Sequence, residues 1–238
     1  MMQLQINIGL VLLGYLLGSI PFGLIIVKLK TGKDIRQVES GRTGGTNAMR
    51  AAGFWAGLMT TFLDISKGFL AAWIAKSISP GNDWVHVLAP IAVVLGHNYS
   101  LYLPDFDANG RFKRLRGGAG GAPALGGVIG LWPASILIIL PLGALVFFGL
   151  GYASLATLSV SFFAIIVFSV RAYLGVPDSP WIYAAYGVVT EVLLAWALRP
   201  NIKKLLNGTE RVIGISLPGR LKAKQEQRDA ADALDDIE

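Results

Sequence analysis

Long apolar segments separated by short polar stretches run through most of the chain. About 20 apolar residues in a helix span the hydrocarbon core of a bilayer, and a helix satisfies its backbone hydrogen bonds without water. With 53% hydrophobic and only 15% charged residues, the composition excludes an ordinary soluble domain. The sequence therefore predicts an all-α integral membrane protein, a polytopic bundle of about seven spans. The segments lie at residues 5–29, 55–78, 84–103, 121–131, 133–150, 153–171 and 180–198.

Several local features refine this topology. Pro133 separates the fourth segment from the fifth, so these two segments are either distinct or parts of one broken helix. Gly14 and Gly18 have a small-xxx-small spacing, which predicts a face that packs closely against another helix. No lysine or arginine precedes Lys28, so we expect the first segment to be a retained span rather than a cleaved signal peptide.

Basic residues concentrate in the first loop, in the third loop and after the last span. If there are seven spans, these three regions lie on one side of the membrane, and the positive-inside rule predicts that this side is cytoplasmic. The N-terminus is then outside and the C-terminus cytoplasmic. We expect a bundle over residues 1–199 with cytoplasmic loops at 30–54 and 104–121, followed by a cytoplasmic motif and polar tail over 200–238.

Each basic region carries a glycine-containing motif: SGRTGGTNAMR from residue 40, RLRGGAGG from 114 and NIKKLLNGTE from 201. Glycine-rich turns expose consecutive backbone N–H groups, and a helix that begins there adds the positive end of its dipole. The motifs therefore predict a phosphate site at the mouth of the bundle. Thr46 or Asn47 is expected to cap a short helix, with Arg50 pointing back toward the anion. A flexible basic connector is the alternative interpretation.

The residue types present limit the possible chemistry. The chain has no cysteine and only two histidines, His86 and His97, so thiolate chemistry is excluded and no metal site is expected. There is no GxSxG motif, and Tyr102 stands where a His-x4-Asp acyltransferase pair would need aspartate. Asp64 and Lys67 share one helix face in the second span. Such an intramembrane pair either neutralises itself or anchors Arg50 or a substrate group.

The ordered motifs GYLLGSIPFGLIIVK, SGRTGGTNAMRAAG, LDISKG, GHNYSLYL and NIKKLLNGTE resemble those of the bacterial acylphosphate-dependent, PlsY-type glycerol-3-phosphate acyltransferases. The resemblance implies transfer of an acyl chain from acyl phosphate to the 1-hydroxyl of glycerol 3-phosphate. The product is lysophosphatidic acid, made at the cytoplasmic face of the bacterial inner membrane. The implied partners are these two substrates and the lipid bilayer, with no cofactor and no nucleic acid.

Carried over by position, the resemblance and the charge pattern together assign the candidate site. The catalytic candidates are Ser40, Arg50 and His97. The substrate-binding candidates are Gly41, Thr46, Asn47, Asp64, Asn98, Arg116, Gly117, Gly118, Gly120, Asn201, Gly208 and Glu210.

Acyl phosphate is a mixed anhydride with a good leaving group, so its transfer needs positioning, charge stabilisation and an acceptor for one proton. The acceptor is the substrate's own phosphate oxygens, ranked first, or Ser40 as a relay, or His97. For His97, an interfacial hydrogen-bonded residue is the alternative to a base.

The chain also departs from the family pattern. Arg42, Gly45 and Ser100 stand where the family usually has asparagine, alanine and proline, and Ala119 replaces a lysine of the glycine loop. An insertion, PDFDANGRFKR, precedes this loop, and we hypothesise that its Arg111, Lys113 or Arg114 restores the missing charge. The competing function is a non-catalytic or re-purposed relative that binds a phosphorylated lipid or metabolite. A transporter is disfavoured because the polar motifs lie at one face.

Overall fold

The computed structural model describes residues 1–235, with side chains described over 1–229, and this part of the chain is mostly helical. Its helices are α1 (Met2–Ser19), α2 (Phe22–Thr31), α3 (Gly45–Ala52), α4 (Phe54–Ile78), α5 (Asp83–Asn98), α6 (Gly121–Leu131), α7 (Ile136–Leu145), α8 (Ala153–Tyr173), α9 (Ile182–Ala197), α10 (Arg199–Leu206) and α11 (Leu217–Asp235). Short 3-10 turns occur at Ile35–Gln37 and Pro133–Ser135, and a π turn, Val146–Leu150, follows α7.

Every predicted apolar segment forms helix, which confirms the helical membrane class. Four stretches are long and apolar enough to cross a bilayer: Met2–Thr31, Phe54–Ile78, Pro133–Leu150 and Ala153–Tyr173. A fifth is added if α9 and α10, which meet at 72°, count as one span. The 11 residues of α6 reach only about 16 Å, roughly half of the hydrocarbon core.

The chain breaks between the fourth and fifth apolar segments rather than continuing as one helix. Trp132 is extended, with φ −146° and ψ 102°, and Pro133 then opens a 3-10 turn that leads into α7. The guanidinium of Arg171, near the end of α8, stacks on the Trp132 ring at 3.8 Å from its centroid. Of the two alternatives left by the sequence, the structure has separate helices.

The expectation of an all-α protein needs one correction, because the insertion before the glycine loop forms an antiparallel hairpin. Its strands are β1 (Pro104–Phe106) and β2 (Phe112–Leu115). Asp107 Oδ1 accepts hydrogen bonds from the N–H groups of Asn109 and Arg111, each at 2.9 Å, and closes the turn. An aspartate at the start of a tight turn satisfies the turn's N–H groups in this way, which stabilises the reversal.

Glycines allow the closest helix contacts. A Cβ on Gly14 would overlap the carbonyl of Ala89, and one on Gly18 would overlap the backbone of Val93. The prediction that Gly14 and Gly18 form a packing face is thus confirmed, with α5 as the partner of α1. In the same way Gly68 of α4 lies against the backbone of α6 at Pro123. Close backbone approach increases dispersion contacts where lipid supplies no hydrophobic driving force between helices.

The two ends of the bundle differ in character. At one end Ser79 Oγ donates to Asn7 Oδ1 at 2.9 Å, and His86 Nε2 lies 2.8 Å from the Ser79 carbonyl oxygen. At the other end the Thr43 N–H donates to the Gly117 carbonyl at 3.3 Å, and Arg42 Nη1 donates to Asn201 Oδ1 at 2.7 Å. The three basic regions named above therefore meet at one end, away from the first residues of α1.

Gly18→Ala is expected to lower the midpoint of thermal unfolding of the protein in detergent, because the added methyl group overlaps α5. Overpacking of this kind costs about 1–3 kcal/mol. Gly9→Ala is the matched control, since it lies on the same helix and a Cβ added there would have no neighbouring atom within 4 Å. Equal midpoints for the two variants would contradict this account of the α1–α5 contact.

Candidate functional site

A cavity of about 500 Å³ opens where the three basic regions meet. Its polar end is formed by the first loop, α3 and the segment after α9, with these charged or amide side chains: Glu39, Arg42, Asn47, Arg50, Asn201, Lys204, Glu210 and Arg211. Its apolar end lies between α4, α6, α7, the π turn and α8, and is lined by Ile65, Leu125, Ile139, Leu140, Phe147, Phe148 and Val160. One continuous space therefore offers both a charged and a hydrocarbon-like surface.

The N-terminus of α6 faces this cavity. Gly120 precedes the helix with φ 91°, a left-handed conformation that favours glycine. Residues 119–122 all line the cavity, and their N–H groups donate to no other residue of the described chain. Because no acidic side chain occupies the first turn, these donors and the helix dipole are left for an anion.

The N-terminus of α3 faces the same cavity. The cap residue is Gly44, which corrects the expectation that Thr46 or Asn47 caps this helix. Both lie inside the first turn, because helical geometry already begins at Gly45. The N–H groups of Gly45 and Thr46 have no acceptor within the described chain, and both residues line the cavity. The structure thus brings two helix N-termini to one space.

Asn47 holds the first loop in place. Its buried side-chain amide lies within hydrogen-bonding distance of the carbonyl oxygens of Ile35, Val38 and Arg42, at 3.3, 3.0 and 2.8 Å. These bonds use both of its N–H donors. Asn47 lines the cavity, and its bond to the Arg42 carbonyl fixes the backbone of the first loop at that residue.

A series of hydrogen bonds joins three segments at the polar end. Arg42 Nη1 donates to Asn201 Oδ1 at 2.7 Å, and Asn201 Nδ2 donates to Glu210 Oε1 at 3.1 Å. Glu210 Oε2 in turn accepts from Ser154 Oγ at 2.6 Å. The first loop, the segment after α9 and the start of α8 are thereby connected through side chains.

The polar end carries more positive than negative charge. Arg211 pairs with Glu39 and lowers the pKa of that carboxyl group. The Arg50 guanidinium makes no hydrogen bond or ion pair to any described residue, and Arg42 has no carboxylate within ion-pair distance. Burial lowers the pKa of both Arg42 and Arg50 from the ordinary arginine value, because it desolvates the charged form. Two partly desolvated cations therefore face the cavity, which favours an anionic ligand.

A buried cluster lies at the inner wall. Lys67 Nζ lies 2.7 Å from Asp64 Oδ1 and 2.9 Å from His97 Nδ1, and it donates to the Gly18 carbonyl at 2.9 Å. An ammonium group only donates, so Nδ1 accepts, and a neutral His97 carries its hydrogen on Nε2. Mutual neutralisation of Asp64 and Lys67 is what the geometry supports, since Arg50 does not reach Asp64. His97 lines the cavity with its Nε2 atom beside Gly118.

The glycines of the loop before α6 allow it to pack on the end of α5. A Cβ on Gly117 would overlap the carbonyl oxygens of His97 and Asn98, and one on Gly118 would overlap the His97 ring. The Gly118 N–H donates to the His97 carbonyl at 2.8 Å. The side-chain amide of Asn98 is buried and has no hydrogen-bond partner among described groups. Gly117, Gly118 and Asn98 therefore shape the wall behind the cavity.

The structure brings nine of the predicted site residues to the cavity: Ser40, Thr46, Asn47, Arg50, Asp64, His97, Gly120, Asn201 and Glu210. Gly41 and Gly208 occupy turns nearby, with φ 65° and 69°. Arg116 lies outside the lining, with Nε 3.3 Å from Asp105 Oδ2. In the described chain no three histidine, aspartate or glutamate side chains are grouped as a metal ion would require.

The hypothesis that the insertion restores charge to the cavity is not supported. Arg114 pairs with Asp105 inside the hairpin at 3.3 Å, and neither it nor Arg111 nor Lys113 lines the cavity. The hairpin pairs with itself, and Phe106 and Phe112 are in edge-to-face contact across it.

Sequence reasoning missed several residues of the lining: Glu39, Arg42, Ser154, Lys204 and Arg211. Arg42 had a signal, because it is a cation inside the first glycine motif at a place where the family pattern has asparagine. Lys204 and Arg211 were interpreted only as part of the basic region that indicates the orientation of the chain in the membrane. Ser154 had none, since a serine at the start of an apolar helix is common and its bond to Glu210 exists only after folding.

Comparison with known proteins gives consistent results. The family model described as glycerol-3-phosphate acyltransferase matches residues 8–208. A glycerol-3-phosphate acyltransferase from Symbiobacterium thermophilum is 34% identical over 87% of this chain and 95% of its own. One from Thermus thermophilus is 36% identical, covering 85% of this chain and 93% of its own.

Solved structures agree. The crystal structure of PlsY, an integral membrane glycerol 3-phosphate acyltransferase, in its glycerol 3-phosphate form has a TM-score of 0.72 and 36% identity, covering 87% of this chain and 96% of that one. The lysophosphatidic acid form has a TM-score of 0.70 and 34% identity, covering 88% and 96%.

Lys67→Met is expected to destabilise the protein by about 3–5 kcal/mol, because it leaves the Asp64 carboxylate buried without its cation. Adding Asp64→Asn removes that charge, so the double variant should unfold at a higher temperature than the single one. Thermal unfolding of the purified variants in detergent measures both. A double variant no more stable than Lys67→Met would contradict charge compensation within the cluster.

Proposed function

Because the chain belongs to the glycerol-3-phosphate acyltransferase family, we propose that its cavity transfers an acyl chain from acyl phosphate to the 1-hydroxyl of glycerol 3-phosphate. The product is lysophosphatidic acid, a precursor in phospholipid synthesis. The observation that carries the proposal is the single cavity that joins two helix N-termini and several cations to an apolar end. Such a space suits one substrate with a phosphate and a hydrocarbon chain, and a second with a phosphate alone.

The two ends of the cavity accept different parts of the substrates. The acyl chain lies along the apolar end, where Leu125, Ile139 and Val160 replace water around its methylene groups. The phosphate groups lie at the polar end, against Arg50 and the N–H groups at the start of α3 and α6. The reacting carbonyl then falls between the two ends.

The chemistry needs no covalent intermediate on the protein. The 1-hydroxyl oxygen of glycerol 3-phosphate attacks the acyl carbonyl carbon, the bond from that carbon to the phosphate oxygen breaks, and inorganic phosphate leaves with the electron pair. The hydroxyl proton passes to a substrate phosphate oxygen. Arg50 and the helix N–H groups stabilise the charge on the departing phosphate. Ser40 lies at the rim as a proton relay or ligand, and the Nε2–H of His97 acts as a donor rather than a base.

We further propose that the chain passes seven times through the bacterial inner membrane, with the N-terminus outside and with the cavity, loops 30–54 and 104–121 and residues 200–238 cytoplasmic. Contacts far from the cavity support this path: Lys76 Nζ donates to the Leu131 carbonyl at 3.0 Å, and Tyr183 Oη lies 3.4 Å from His86 Nδ1. These contacts bring together the last turns of α4 and α6, and the first turns of α5 and α9, as an alternating path requires. The excess of basic residues at the cavity end supports a cytoplasmic orientation.

Arg50→Ala is expected to lower kcat/KM for lysophosphatidic acid formation from palmitoyl phosphate and glycerol 3-phosphate by about 10- to 100-fold, the value of a charge-assisted hydrogen bond to phosphate. Arg114→Ala is the control, because it removes the same charge from the exposed hairpin and should leave the rate unchanged. Equal rates for both variants would contradict the role of Arg50. If the unmodified protein binds glycerol 3-phosphate without turnover, the re-purposed relative replaces this proposal.

Gly143→Leu is expected to shift the preference toward shorter acyl chains. Gly143 lines the apolar end and has room for a side chain, since the nearest atom to a Cβ, Ser159 Oγ, is 4.0 Å away. Losing space for two or more methylenes should raise the decanoyl-to-palmitoyl ratio of kcat/KM by about 10-fold or more. Gly149→Leu, which lies outside the lining with no neighbour within 4 Å, should leave the ratio unchanged. An unchanged ratio in Gly143→Leu would mean that the acyl chain does not bind beside Gly143.

A further inference from the structure

Arg42 is held rigidly at the cavity wall. Its Nη1 donates to Asn201 Oδ1 at 2.7 Å, and its Nη2 donates to the Ala197 carbonyl at 2.6 Å. Its own carbonyl accepts from the Asn47 amide at 2.8 Å, which fixes the backbone on the other side. A guanidinium has five N–H donors, so these two bonds leave three donors without an acceptor in the described part of the chain.

No acidic group of the described chain neutralises Arg42 directly. The nearest acidic influence is Glu210, whose two oxygens already accept from Asn201 and Ser154. Arg42 is partly buried, and the two oxygens that it contacts belong to neutral amide groups, so its positive charge is not compensated. Such a group gains most from an anion that enters the cavity, because the anion replaces the lost water.

The glycine loop lies beside Arg42 and carries donors without a charge. The Thr43 N–H bonds to the Gly117 carbonyl at 3.3 Å, which joins the residue after Arg42 to that loop. Beyond it, residues 119–122 line the cavity and their N–H groups have no acceptor within the described chain, while the side chain of Ala119 is only a methyl group. A cation that completes an anion site here must therefore come from a neighbouring segment.

We propose that Arg42 is a substrate-binding residue that grips a phosphate group together with the N–H groups of the glycine loop, and so supplies the cation that Ala119 does not. This inference rests on the proposed function. Two phosphate-bearing substrates require two cationic positions, and Arg42 and Arg50 fill them from different parts of the first loop. Asn201 acts as a positioning residue, because it orients the Arg42 guanidinium through Oδ1.

The test compares Arg42→Gln, the double variant Arg42→Gln with Ala119→Lys, and the exposed control Arg114→Gln. For each variant, the affinity for inorganic phosphate is measured from the rise in the thermal unfolding midpoint with phosphate concentration. KM is measured separately for each substrate. Arg42→Gln should weaken phosphate binding and raise KM for one substrate by about 10- to 100-fold. The substrate affected identifies which phosphate Arg42 holds. Arg114→Gln should match the unmodified protein.

Rescue separates charge from structure. A lysine placed at position 119 cannot replace the bonds to Asn201 and Ala197, but it returns a cation to the same space. The double variant should therefore recover much of the phosphate affinity, and failure to recover it would overturn the inference. Should Arg42→Gln not fold, Ala119→Lys alone should tighten phosphate binding about 10-fold, because it adds a cation to the glycine loop beside Arg42. An unchanged affinity there would likewise overturn it.

The two proposals fail in different ways. Turnover by the unmodified protein, with phosphate affinity and both KM values unchanged in Arg42→Gln, would overturn the role of Arg42 and leave acyl transfer standing. Phosphate binding that depends on Arg42, without turnover by the unmodified protein, would overturn acyl transfer and leave the phosphate site standing.

Discussion

The side-chain amide of Asn201 is the contact on which the site depends. It accepts from Arg42 and donates to Glu210, so one residue connects the first loop to the segment that follows the last apolar helix. Glu210 extends the connection to α8 through Ser154. Each of these polar groups would be costly to bury without a partner, and together they are satisfied only when the three segments meet. The cavity is the space that this meeting encloses.

The same contacts decide the charge of the cavity. Glu210 is occupied by neutral donors, Glu39 by Arg211, and Asp64 by Lys67, so the negative groups are bound while Arg50 stays open. Helix N-termini add donors at two more places. A space built in this way is suited to stabilising phosphate charge. Positioning and electrostatics are sufficient for an activated acyl donor.

Close packing of helices places these donors at the right depth. The contact between Gly68 and the backbone of α6 allows this short helix to lie against α4, and its first residue then opens on the cavity. The glycine loop has the same requirement, since any side chain at Gly118 would displace His97. Small residues therefore serve both packing and the site.

The sequence by itself determined the membrane class, the helical segments and the three polar motifs, because apolar length, glycine content and basic charge are local properties that survive without tertiary contacts. It also indicated nine residues that reach the cavity. The tertiary structure alone decided that Arg42 and Ser154 are hydrogen-bonded within the site, that Arg114 lies outside it, and that Gly44 caps α3. The bond between Arg42 and Asn201 joins residues 159 positions apart, and the bond between Ser154 and Glu210 joins residues 56 positions apart. Pairings at such separations leave no local pattern in the sequence, because they exist only after the segments have folded together.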